Sequence, residues 1–312
     1  MKQFRVIVKR GVTLNKQALM IYNPVSGKKK NHKYTDMLIK KLNDIGYEIT
    51  VHSSIEMKQN GNAIREACEN NWDAIFIAGG DGTINDTLQH LAEQEYRPTV
   101  GIFPFGTSNE FAKFIGIPSN IEESVSVIEK GKTKSIDIGK FGNQYFANIA
   151  AAGWLTDITY KTSPLLKSYF GELAYSIYFI KTLLLTKPPG EISIRVSPHV
   201  ELSDLSIFLI MNGNSVGPLE RIINTTTHAN DGYFHLFTCK NTNRLKLLFA
   251  LLAKMLHLTE TVAPLDYYKV HSASFSIPDN LFVNLDGDQV DVYSTEFEVL
   301  PNYLHVFIPD KE

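Results

Sequence analysis

Three short apolar runs in the first 140 residues each stop at a polar, glycine-bearing loop and restart as a helical pattern. Ala18–Tyr22 runs into Asn23-Pro24-Val25-Ser26-Gly27-Lys28. Asp73–Ala78 runs into Gly79-Gly80-Asp81-Gly82-Thr83-Ile84-Asn85-Asp86, and Thr99–Phe103 into Pro104-Phe105-Gly106-Thr107-Ser108-Asn109-Glu110. Continuous apolar runs of this length predict strands buried on both faces, which is what a parallel sheet needs. Helical spacing over Tyr34–Ile45, Asn60–Asn70, Ile84–Ala92 and Phe111–Ile115, with a further alternating strand at Tyr47–Val51, completes the strand–helix alternation. An open α/β sheet binds its ligand outside the carboxyl ends of its strands, where these loops fall.

After about Asp137 the texture changes. Short alternating runs at Ile192–Val196, Leu205–Met211, Tyr233–Thr238, Ser274–Ile277, Leu281–Leu285, Phe297–Leu300 and Leu304–Ile308 predict a β-rich antiparallel sandwich with helical inserts near 165–186 and 243–258. The expected division is a nucleotide-binding α/β domain over 1–140 and a β-sandwich over 141–312, with residues from about 300 onward able to return to the first. Without a flexible linker, the halves are expected to share a cleft.

With 31 Lys+Arg against 33 Asp+Glu, the chain lacks the basic excess of a nucleic-acid coat, so no nucleic-acid partner is expected. Two cysteines, Cys68 and Cys239, make no disulfide framework and suit a reducing cytosol. Neither Leu173–Leu185 nor Leu245–Leu258 reaches the roughly 20 apolar residues of a spanning helix. A soluble, cytoplasmic chain is therefore expected, and Leu245–Leu258 is one candidate face for peripheral membrane contact.

The loop Gly79–Asp86 lets the backbone approach a ligand and points N–H groups at it, and the helix start behind it favours phosphate. Asp81 would address phosphate through Mg²⁺; the competing reading is a glycine-rich turn with an Asp cap. Asn23–Lys28 is neither a Walker loop nor a Gly-x-Gly-x-x-Gly, and alone it could be a solvated turn. Asn284-Leu285-Asp286-Gly287-Asp288 reads first as a hairpin turn. It could equally carry a base that accepts a hydroxyl proton during phosphoryl transfer. Asp231-Gly232 is open between a turn and an oxygen-ligand metal loop, and Asp137 between a strand-end residue and a supporting carboxylate.

Together these motifs occur in the order seen in the diacylglycerol kinase catalytic-domain family, which includes bacterial soluble lipid kinases and sphingosine kinases. The resemblance spans residue 17 to the end. The Gly-Gly-Asp-Gly-Thr element is also shared with NAD kinases and, distantly, phosphofructokinases. The resemblance implies ATP contacts at Asn23–Lys28, Ser54, Gly79–Thr83, Asn85, Asp86, Thr107 and Asn109. It implies a catalytic Mg²⁺ network of Asp81, Asn109, Glu110 and Asp137, and a catalytic pair in Asp286 and Asp288. It further implies a structural metal at Asp231 with the main chains of His228 and Tyr233. Two departures stand out: Asn109-Glu110-Phe111-Ala112-Lys113 where the bacterial pattern usually has Asn-Asp-Phe-Ala-Arg, and Asp286-Gly287-Asp288 where it usually has Asp-Gly-Glu. They change carboxylate reach in opposite directions while keeping charge.

The function this implies is an ATP- and Mg²⁺-dependent kinase that transfers the γ-phosphate to a lipid hydroxyl, that of diacylglycerol or a related lipid. It would work at a membrane surface, and a homodimer is compatible with the sequence. The alternatives are an NAD-kinase-like enzyme with a soluble substrate and a non-catalytic nucleotide- or lipid-binding regulator.

Overall fold

The structure, a computed structural model, describes residues 16–24, 31–54, 60–153, 191–212, 230–240 and 265–310. These fall in two compact units, Met1–Ile136 with Asn302–Glu312, and Asp137–Pro301. The first contains β1 (Lys16–Tyr22), α1 (Asn31–Asp44), β2 (Tyr47–Ser53), α2 (Gly61–Glu69), β3 (Ala74–Gly79), α3 (Asp81–Ala92), β4 (Thr99–Pro104), α4 (Glu110–Phe114) and α5 (Ile121–Lys130). Strand β5 (Thr133–Phe141) carries the chain into the second unit.

The first unit is a parallel sheet in the order β2-β1-β3-β4. Every residue of β3 is buried, as the continuous apolar run requires. Helix α1 packs with α5, and α2 with α3; the chain runs outward from β1 to β2 and then back across β1 to β3. The order therefore reverses between β1 and β3. That reversal opens a crevice at their carboxyl ends, because the flanking connections diverge to opposite faces.

Helix α5 is an element beyond those expected above, although its signals are present in the chain. Asn120 Oδ1 accepts from Glu122 N at 2.8 Å at the start, and Gly131 ends the helix with φ 69°. Helix α3 begins at Asp81, not Ile84, because the two glycines complete the turn and the following residues already form the first helical turn.

The second unit is antiparallel and strand-rich. It holds β6 (Gln144–Phe146), β7 (Ile149–Gly153), β8 (Ile192–Ser197), β9 (Val200–Met211), β10 (Phe234–Lys240), β11 (Leu265–Val270), β12 (Ser272–Ser276), β13 (Val283–Leu285), β14 (Asp288–Val290) and β15 (Ser294–Phe307). The strands run β14-β13-β7-β9-β8-β12-β15, with β10 on β9 and β11 on β10. One core gathers Phe141, Phe146, Phe208, Phe234, Phe275 and Phe297; Phe146 meets Phe234 edge-on at 5.4 Å.

The runs at Phe297–Leu300 and Leu304–Ile308 are one strand, not two. Pro301 and Asn302, the latter at φ 52°, bend β15 without ending it. Its last residues rejoin the first unit, where Val306 pairs in parallel with Val100 of β4. Asp137 is also not at a strand end: it lies inside β5 with no exposed surface. The expected inserts at 165–186 and 243–258 lie outside the described residues. Among the described residues, no helix is long and apolar enough to cross a membrane.

Candidate active site

Asn23, directly after β1, and the loops after β3 and β4 converge in the first unit. Asn23 Nδ2 donates to Thr83 Oγ1 at 3.2 Å, and Asn23 N donates to Ala78 O at 3.1 Å, so the end of β1 is tied to β3 and to the start of α3. The β3 and β4 loops touch backbone to backbone. A Cβ on Gly106 would stand 2.7 Å from Gly80 Cα, and one on Gly80 would stand 3.1 Å from Gly106 Cα. Only glycine at both positions allows this approach. Asn109, itself left-handed at φ 50°, closes the β4 loop: its Oδ1 accepts from Gly106 N at 2.9 Å and its Nδ2 donates to Gly106 O at 2.8 Å.

Asp81 is the first residue of α3. One carboxylate oxygen, Oδ1, accepts weakly from Phe111 N at 3.4 Å, and Oδ2 has no partner among the described residues. A carboxylate oxygen with an open lone pair fits a hard divalent cation, while the helix start behind it favours the phosphate that the cation would bridge. No cluster of His, Cys, Asp or Glu among the described residues is suited to caging a metal alone. A magnesium ion at Asp81 would therefore share its coordination with phosphate oxygens and water, which is its usual preference.

The remaining candidates in this unit are placed as follows. Ser54 directly follows β2 and is buried; Asn60 Nδ2 donates to its Oγ at 3.0 Å and also to Asp86 Oδ2. Asp86 thus faces Ser54 through Asn60, with His90 Nε2 3.9 Å from its other oxygen. Buried Asn85 accepts from Gln89, while Thr107 is exposed. Glu110 pairs with Lys113 at 3.1 Å, so the two altered residues of the 109–113 segment meet each other. Pro24 is a turn residue after β1, and Val25, Ser26, Gly27 and Lys28 lie outside the described residues.

In the second unit, Asp286 and Gly287 are the two turn residues between β13 and β14, both left-handed, at φ 48° and 103°. That is the expected Asp-Gly hairpin. The sequence did not reveal what the Asp286 carboxylate does. It accepts from three successive backbone N–H groups: Ala147 at 2.6 Å, Asn148 at 3.0 Å and Ile149 at 2.7 Å. Asp286 N returns a bond to Ile149 O at 2.9 Å. Taking a proton on this carboxylate would disrupt charge-assisted bonds, so Asp286 is built as a clamp on the β6–β7 turn. Asp288, half-buried at the start of β14, is the carboxylate of the pair outside that clamp.

Asp137 Oδ2 accepts from Gly232 N at 2.7 Å, and Asn212 Nδ2 donates to Asp137 O at 2.7 Å. Asp231 lies 2.9 Å from Lys269, Tyr233 is exposed, and His228 lies outside the described residues. Burial pushes both thiols, Cys68 and Cys239, up to about 11, which leaves no thiolate for nucleophilic chemistry.

Residues 17–141 match the family described as the diacylglycerol kinase catalytic domain. A diacylglycerol kinase of Bacillus subtilis (strain 168) is 33% identical over 300 residues, covering 95% of this chain and 98% of its own. The chain belongs to the diacylglycerol kinase family. A diacylglycerol kinase of Staphylococcus epidermidis is 31% identical over 299 residues, covering 95% of this chain and 93% of its own. The crystal structure of a diacylglycerol kinase from Bacillus anthracis str. Sterne shares the fold, with a TM-score of 0.71 and 21% identity over 94% of this chain and 97% of that one. Membership of this family makes the chain a phosphotransferase with an alcohol acceptor, and a kinase of this family uses ATP.

Proposed function

We propose that the chain phosphorylates the hydroxyl of a membrane lipid, diacylglycerol or a near relative, with ATP as donor and Mg²⁺ as cofactor. The observation that supports this most is the close approach of Gly80 and Gly106, fastened by Asn109 and flanked by the Asn23–Thr83 bond. It leaves backbone open at the start of α3, where the N–H groups of Asp81 and Gly82 can receive phosphate oxygens, those of Thr83 and Ile84 being bonded to Gly80 O. Asp81 would hold the Mg²⁺, which when bound would neutralise charge on the phosphates.

The protein's own share is to position and to move one proton. The β1, β3 and β4 loops fix the triphosphate, so the barrier falls by alignment of the reacting groups and not by covalent chemistry. Asp288 accepts the proton of the lipid hydroxyl as its oxygen attacks the γ-phosphorus and ADP leaves. Asp286 does not share this task; it holds the hairpin that carries Asp288. Meeting a lipid substrate requires contact with a bilayer surface, so the protein is read as peripherally bound there.

The test incubates the purified chain with γ-labelled ATP, Mg²⁺ and mixed micelles of single lipid alcohols, alongside NAD and alongside Asp288→Asn. Label in a lipid phosphate, lost in the variant, is the expected result. Label in NAD would replace the lipid reading with the soluble-substrate one. ATP binding without transfer to any acceptor would make the chain a regulator.

A further inference from the structure

Family resemblance implies a structural Mg²⁺ at Asp231, and the described residues there, Asp231, Tyr233 and Lys269, do not fit one. Asp231 Oδ2 lies 2.9 Å from the Lys269 ammonium, and Oδ1 accepts from Tyr233 N at 3.1 Å. The same ammonium sits over the Tyr233 ring, 4.6 Å from its centroid. A divalent ion placed at this carboxylate would meet a resident positive charge at contact distance and would have to displace it. We infer that Lys269 is itself the cation of this corner: its side chain neutralises Asp231 and fixes the turn Asp231-Gly232-Tyr233, so no metal is needed.

The turn has a second attachment that gives the ion pair a purpose. Gly232, left-handed at φ 76°, donates its N–H to Asp137 Oδ2 at 2.7 Å, while its carbonyl oxygen lies 2.9 Å from His271 Nδ1. Asp137 is wholly buried, and an acid at such depth depends on the donors around it. Lys269 therefore acts at a distance on Asp137: it holds Asp231, Asp231 holds the turn, and the turn presents Gly232 N. Strand pairing supplies the rigid base, since Lys269 stands opposite His235 across β10 and β11. An isolated, half-exposed ion pair would contribute little. Here the carboxylate also binds a backbone amide and the ammonium also covers a ring, so one geometry serves all three contacts.

This goes beyond the kinase reading, and its test needs no turnover. The full chain is dialysed against EDTA, its metal content is measured, and its Tm is followed with and without millimolar Mg²⁺ in the absence of nucleotide. Expected are no stoichiometric divalent metal and an unchanged Tm. Lys269→Met should lower Tm by about 2 °C or more, Lys269→Arg should not, and adding Asp231→Asn to Lys269→Met should cost nothing further. A metal ion retained by the wild-type chain, or a fall in its Tm on EDTA, would overturn the inference whether or not the variants fold. So would a Lys269→Met chain as stable as wild type, an arginine variant as weak as the methionine one, or additive losses.

Discussion

Asp81 and Asp286 are carboxylates of the same length placed beside backbone amides, yet they are used in opposite ways. Asp81 makes one long contact at 3.4 Å and leaves an oxygen open at a helix start. Asp286 receives three N–H groups at 3.0 Å or less and has its lone pairs committed to the fold. The difference teaches that the number of backbone donors at an acid, more than its place in a motif, separates an acid left open to a ligand from one that builds the scaffold.

The sharpest way to break this contrast is Asp288→Asn. Transfer should fall by about 10²–10⁴-fold with Tm unchanged, measured by single-turnover phosphate transfer and thermal melts. Should Asp286→Asn give that result instead, the assignment of clamp and base is reversed. Asp286→Asn is expected to act first on stability, by about 2–3 kcal/mol in chemical denaturation, because an amide cannot accept from all three donors. Gly106→Ala should come next: its new methyl has no room beside Gly80, so the KM for ATP should rise by about tenfold with a smaller change in kcat. If ATP affinity stays at the wild-type value, the loop contact does not shape the nucleotide site.

The smallest effect concerns pH. Burial pushes His235 below its ordinary 6.5, with Lys269 also lowering it and Asp231 opposing. Its neighbour Tyr267 stands 2.8 Å from Nδ1. The unfolded chain then binds a proton that the folded chain refuses. Stability is full above about pH 6.5 and declines as pH falls through the window beneath it. His235→Asn should remove that part of the decline, and an identical pH profile for both chains would count against it.

What could be read in advance follows from how local each signal is. The nucleotide-side loops were legible because an apolar run, a glycine and a helix start lie next to one another in the chain, and the β1–β3 reversal then gathers them. The Asp286 clamp was not, since its donors lie 139, 138 and 137 positions earlier. Strand β7 escaped notice because Ala150-Ala151-Ala152 carries helix propensity, and pairing with β9 and β13 overrides it. The Lys269–Asp231 pair was illegible for a similar reason: two ordinary charges meet only once β10 and β11 align. Helix α5, by contrast, announced itself through Asn120 and Gly131 and could have been found.

Strand β15 leaves a mark on how the protein must be made. The β4 side of the parallel sheet stays open until residues Asn302–Phe307 have been synthesised, about 200 residues after β4. A fragment cut after residue 140 would expose the unpaired edge of β4, which invites association with other chains. The first unit therefore starts before the second is synthesised and closes its sheet only after it.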